Sequence, residues 1–140
     1  MTYDEVGAKL DVFRDNMEKL AEIPQTTLVE FSSDFRNLDS ALHRLQTSIR
    51  ALIDVGGFVV SRLGLGAPTS SADILERLEE HGSLPEGSTE RFTPIISFRN
   101  RVVHLYERID PAIVYEILTE ERGDLEELMT LLLAAVDRET

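Results

Sequence analysis

Apolar residues recur every three or four positions along most of this chain, the spacing of one helix face and not the alternation of a strand. Val6, Leu10, Phe13, Met17 and Leu20 mark the core face of a first helix, which Pro24 ends. Thr26 or Thr27 is placed to cap a second helix, with Leu28, Phe31, Phe35 and Leu38 on its face. The capping residues in Asn37-Leu38-Asp39-Ser40 predict a break or kink. A long helix then carries Leu42, Leu45, Ile49, Leu52, Ile53, Val59, Val60 and Leu63, and Gly64-Leu65-Gly66-Ala67-Pro68 stops it. Ser70 or Ser71 starts a short helix through Ile74, Leu75 and Leu78, closed near His81-Gly82. Pro85, suited to a first helical turn, opens a helical stretch to about Ile109, with Pro94 as a kink or restart inside it. A last helical segment, Ala112 to about Asp137, has Gly123 as its point of interruption.

This pattern predicts an all-α protein, an antiparallel bundle of about five or six helices joined by short loops. It reads as a single domain over 1–140, with no internal repeat and no low-complexity segment. Gly56-Gly57 falls inside the long helix, where each glycine costs roughly 1 kcal/mol relative to alanine. Either neighbouring helices pack closely there, or the missing side chains leave room for a ligand or a partner subunit.

Composition narrows the class. The 42% of apolar residues supply one core, but no run reaches the roughly 18 apolar residues of a membrane span. The chain opens Met1-Thr2-Tyr3-Asp4-Glu5, acidic where a secretory signal is basic, so a cytoplasmic protein is expected. Without cysteine there is no disulfide, thiolate nucleophile or cysteine metal site. His43 and His81 have no partner at metal-ligand spacing.

A net charge of −12 opposes general nucleic-acid binding, whose affinity comes from Lys and Arg. The distribution qualifies the sum. From Arg91 to Arg108 four arginines stand against one acid, Glu107, while acids collect from Glu116 to Glu127. An encounter with RNA would therefore be confined to one site. The acidic run reads as a solvated face, or as a dock for a basic partner.

The chemistry concentrates in Ile95 to Asp110. At roughly 100° per residue, Ile95, Phe98, Val102, Val103, Leu105 and Ile109 form an apolar side. Arg99 and Tyr106 fall in its middle, Asn100 and His104 line its flank, and Arg101 and Arg108 point to the opposite, wet face. A buried guanidinium needs a counter-charge. Arg99 is therefore either a core arginine bridging to Asp54 or Glu107, or a phosphate ligand on a surface that a second subunit covers. In the second reading the set suits phosphodiester cleavage: His104 as acid–base group, Arg99 as cation, Asn100 and Tyr106 as hydrogen-bonding positioners.

Arg99-x4-His104-x-Tyr106 resembles the Arg-x4-His-x-Tyr motif of HepT-like proteins in the HEPN superfamily. The similarity extends through Ala51-Leu52-Ile53-Asp54-Val55, Ser61-Arg62-Leu63-Gly64-Leu65, Ile74-Leu75-Glu76-Arg77-Leu78 and Val114-Tyr115-Glu116-Ile117-Leu118, covering roughly residues 3 to 136. The resemblance implies a HEPN-like helical fold and a metal-independent endoribonuclease toxin. Such an enzyme cleaves tRNA or mRNA by 2′-hydroxyl attack, acts as a homodimer and needs no cofactor. It also implies catalytic roles for Arg99, Asn100, His104 and Tyr106, with Asp54 in support. A nucleotidyltransferase antitoxin acting in trans would silence the toxin by transferring AMP to Tyr106, since no Asp-x-Asp pattern of such an enzyme occurs here. Where the family has a polar pair after Ile53-Asp54-Val55, this chain has Gly57 and Phe58. The alternative is a HEPN dimer without catalysis, kept as a nucleotide- or partner-binding module.

Overall fold

The computed structural model describes residues 1–102 and 108–139, and the side chain of Arg99 also lies outside the described set. The helices are α1 (Tyr3–Glu22), α2 (Leu28–Ser32), α3 (Phe35–Arg62), α4 (Ser71–His81), α5 (Ser88–Ile96), α6 (Phe98–Val102), α7 (Pro111–Glu116) and α8 (Arg122–Arg138). A wide π turn, Ile117–Glu121, joins the last two. Among the described residues there is no strand, and the all-helical reading holds.

Short polar side chains start these helices by accepting from backbone N–H groups that have no partner in the first turn, a stabilisation of about 1 kcal/mol each. Thr2 accepts from Glu5, Thr27 from Glu30, Ser70 from Asp73 and Asp110 from Ala112, with Pro111 in the first turn of α7. The choices left open in the sequence thus fall to Thr27 and Ser70. At the far end of α4, Gly82 adopts φ 86°, a left-handed cap that suits glycine.

Three expected boundaries move. The break after the second helix lies at Ser33-Asp34, not at Asn37–Ser40, because the Asp34 carboxylate takes both the backbone N–H and the guanidinium of Arg36. Phe35 is consequently 73% exposed and not part of the core face. Pro85 sits in a turn whose carbonyl accepts from Ser88, and α5 starts only after Gly87 at φ 90°. The Glu79 carboxylate fixes that start by accepting from the N–H groups of Gly87 and Thr89, and these bonds hold its pKa below the ordinary value. Finally, Arg108 and Ile109 lie outside any helix, and the Asp110 N–H donates to the Val102 carbonyl at 2.9 Å. The predicted helical run therefore does not reach Ile109.

α3 is the spine, contacting α1, α2, α4, α5, α7 and α8. Its pairs with α1 run in opposite numerical order: Asn16 with Thr47, Lys9 with Asp54, Tyr3 with Phe58. The two helices are antiparallel. The buried Asn16 amide is satisfied, donating to Thr47 Oγ1 at 2.8 Å and accepting from Arg44 at 3.2 Å. α8 runs antiparallel to both α1 and α5, since Tyr3 meets Glu139, Ser83 meets Arg138 and Arg91 meets Glu127. Between these helices lies one continuous core that includes Phe31, Leu45, Leu52, Phe92, Leu125 and Leu128, each essentially sealed from solvent.

The paired glycines separate into two cases. A Cβ on Gly56 would stand 2.9 Å from Ile74 Cγ2 of α4, so this glycine is close helix packing. A Cβ on Gly57 would meet nothing within 4 Å among the described residues. Gly57→Ala is therefore expected to raise stability by roughly 0.5–1 kcal/mol through helix propensity. Gly56→Ala should lower it, because overpacking costs about 1–3 kcal/mol. Thermal denaturation of both proteins tests this, and a destabilised Gly57→Ala would mean that another molecule covers α3 at that point.

Candidate active site on the motif helix

α5 and α6 are separated by a break at Ser97, three residues after Pro94. Ser97 N–H donates to the Thr93 carbonyl, and Asn100 N–H restarts the helix on the Ser97 carbonyl at 2.9 Å. Pro94 thus lies within α5, and of the kink or restart expected there the helix shows a restart, placed at Ser97. In α6, Phe98 and Val102 are one turn apart and buried, while Asn100, about 200° around the helix from each, is exposed.

Arg101 does not point freely into water. Its Nη1 and Nη2 donate to Oε1 and Oε2 of Glu121, both at 2.7 Å, a two-pronged charge-assisted pair. Hydrogen bonding to Glu121 outweighs partial burial and raises the guanidinium pKa above its ordinary value. The partner comes from the π turn, twenty positions later in sequence. Arg91 is tied in the same way to Asp124 and Glu127 of α8. Part of the acidic run expected to be a solvated face is therefore the counter-charge of the arginine-bearing segment.

Two hollows flank α6. On one side Asn100 lines a polar pocket of about 320 Å3 with Ile96, Ser97 and the first residues of α4, Ser70, Ser71 and Ala72. On the other, a groove of about 310 Å3 runs between α3 and α6, lined by Gln46, Ile49, Arg50 and Ile53 with Ile96 and Phe98. Ile96 is the ridge between them. A roomier cleft of about 650 Å3 at α4 and α5 is lined by Glu76, Glu79, Glu80 and Glu86, which oppose an anionic ligand.

Of the residues singled out in the sequence, Asn100 is placed at the edge of the polar pocket. The backbone of Arg99 lies in α6, whereas its side chain, and His104 and Tyr106 entirely, lie outside the described residues. Asp54 Oδ2 stands 2.9 Å from Lys9 Nζ, an ion pair between α3 and α1. Gln46, Arg50 and Ser97 escaped the sequence reading. Gln46 and Arg50 do share one face of α3 with Ile53, but only the junction of α5 and α6, through Ile96 and Phe98, brings them beside the motif helix.

This helical bundle has counterparts among solved structures. In three dimensions the chain matches the tri-AMPylated HEPN toxin of Shewanella oneidensis, solved in complex with its MNT antitoxin, at a TM-score of 0.81 and 22% identity, over 95% of this chain and 99% of that one. A toxin–antitoxin complex with AMP-PNP matches at 0.80, with 21% identity over 94% and 98% of the two chains. The family model for ribonuclease HepT-like proteins matches residues 13–132, and the chain belongs to that family. Similar proteins include the mRNA nuclease HepT of Shewanella oneidensis, 26% identical over 105 residues that span 75% of this chain and 79% of that protein. A putative RNase of Archaeoglobus fulgidus is 32% identical over 124 residues, 87% of this chain and 83% of that one.

If the Arg101–Glu121 pair holds α6 in place, Glu121→Gln should speed amide hydrogen exchange across Phe98–Val102 and leave α1 unchanged. Equal protection in α6 of both proteins would show that Phe98 and Val102 alone anchor it.

Proposed function

We propose that this protein is the toxin of a HEPN/nucleotidyltransferase pair, a metal-independent endoribonuclease whose active centre is Arg99, Asn100, His104 and Tyr106. The observation that carries the reading is the intact Arg99-x4-His104-x-Tyr106 motif inside the family-matched span of 13–132. The exposed amide of Asn100, beside an open pocket on a firmly anchored helix, agrees with it.

In this mechanism the ribose 2′-hydroxyl attacks the adjacent phosphorus and the bond to the next nucleotide's 5′-oxygen breaks. A cyclic phosphate and a free 5′-hydroxyl result. His104 moves the proton, Arg99 binds the phosphate and its developing negative charge, and Asn100 holds the geometry. Two copies pair so that both motif segments meet in one cleft. The antitoxin, a separate nucleotidyltransferase, silences the enzyme by joining AMP to the Tyr106 phenol oxygen while pyrophosphate leaves. The added bulk and negative charge then exclude RNA. That the relatives are named as an mRNA nuclease and a tRNA nuclease supports RNA as the substrate class.

Purified wild-type and His104→Ala proteins, with intact masses recorded, are incubated with end-labelled tRNA and mRNA in excess EDTA. Wild type should cleave and leave cyclic-phosphate ends. Loss of the acid–base group should slow His104→Ala by about 10²–10⁴-fold. Undiminished cleavage by a folded His104→Ala protein would sink the mechanism. Incubated with a cognate nucleotidyltransferase and nucleoside triphosphate, wild type should gain the mass of AMP and Tyr106→Phe should not. A Tyr106→Phe protein that still gains it would refute the assignment of the acceptor.

A further inference from the structure

Most described arginines are committed within the protein. Arg36, Arg44, Arg77, Arg91 and Arg101 each reach a carboxylate within 3.5 Å. Arg122 and Arg138 donate to Gln25 and to the Ser83 carbonyl, and Arg62 covers the ring of Tyr3. In a chain with 26 acids and 14 bases, such pairing is the expected fate of a cation.

Arg50 is different. It is exposed on α3 and no carboxylate among the described residues pairs with it. The groove it enters has no acid among its described lining residues, a property shared with the polar pocket across Ile96, which has no cation. The half-buried Ile53 and Ile96 supply an apolar floor, Gln46 a carboxamide that both donates and accepts, and Arg50 a guanidinium. These are the groups that hold one unpaired nucleotide. The floor takes a base face, the amide a base edge, and the guanidinium a backbone phosphate. The volume, about 310 Å3, is at the small end of ligand pockets. Ile96 and Phe98 join the groove directly to the motif helix, so the nucleotide held there would be a close neighbour of the cut bond.

We infer that the α3–α6 groove is a substrate subsite for a nucleotide flanking the scissile phosphate, with Arg50 as its phosphate-binding residue. The inference rests on the ribonuclease reading above and names the part of that site that grips the strand. Arg50 is a binding residue here and takes no part in the bond-making step.

The probe is a fluorescein-labelled single-stranded RNA of mixed sequence, fully 2′-O-methylated so that no attacking hydroxyl remains. Its affinity is measured against salt for wild type, Arg50→Ala, Arg50→Lys and Arg14→Ala. Arg14 lines the separate groove between α1 and α8 and removes the same charge there. Arg50→Ala should bind about three- to tenfold more weakly and lower the salt slope by about 0.7, the share of one single-strand phosphate. Arg50→Lys should keep the slope, and Arg14→Ala should match wild type. On cleavable RNA, Arg50→Ala should raise KM with little change in kcat.

Arg50→Ala binding equal to wild type or to Arg14→Ala overturns the assignment, as does failure of wild type to bind the probe. So does an Arg50→Ala protein that sediments as a smaller species than wild type, which would make the groove a contact between copies. Wild type that cuts RNA while Arg50→Ala behaves identically removes the subsite alone. Wild type that binds the probe through Arg50 but cuts no RNA removes the ribonuclease reading and leaves the groove as an RNA site.

Discussion

The arrangement around the motif depends on one electrostatic constraint: the arginines that precede and enter it are matched by carboxylates near the end of the chain. Arg91 faces Asp124 and Glu127, and Arg101 faces Glu121. α6 is only five residues long and could not persist alone, since isolated helices below about 12–15 residues are marginal in water. It is kept by Phe98 and Val102 in the core and by Arg101 clasped on its outer side. The pairing also removes positive charge from the very segment whose local balance suggested an RNA contact. What remains for a phosphate is a few specific cations, which reconciles an acidic protein with the anionic substrate proposed for it.

How much was legible in the sequence depends on how local the deciding interaction is. Thr27, Ser70 and Gly82 act within three or four residues, and the sequence narrowed each to one of two adjacent positions. The Asp34 cap is equally local, but the apolar Phe35 beside it disguised the boundary as a core position. The start of α5 is set by Glu79 from eight and ten residues upstream. Arg101 is redirected by a carboxylate twenty residues downstream. No periodicity can announce contacts at such separations.

The same distinction governs the site. Asn100 was expected on the flank of the apolar side and lies instead on the exposed side opposite Phe98 and Val102, as helical phase dictates. Gln46 and Arg50 became relevant only when the junction of α5 and α6 came to lie beside α3. Asp54 shows the reverse case. It sits in the register the family resemblance gave it, yet the partner it meets is Lys9, on a helix the motif does not name. A motif identifies residue types and an order along the chain, whereas the tertiary fold decides which of their neighbours they meet.

The π turn carries a consequence for how this chain can vary. Each residue advances a helix by about 100°, so the extra residue held in Ile117–Glu121 sets the rotational phase of everything after it. Leu125, Leu128 and Leu132 are buried in that phase. Deleting one residue there would swing this row toward solvent and carry Asp124 and Glu127 away from Arg91. The loop at Gly64–Thr69 imposes no such phase. Insertions and deletions in descendants of this sequence should accumulate in that loop, while the length from Pro111 to Arg138 stays constant even as its letters change.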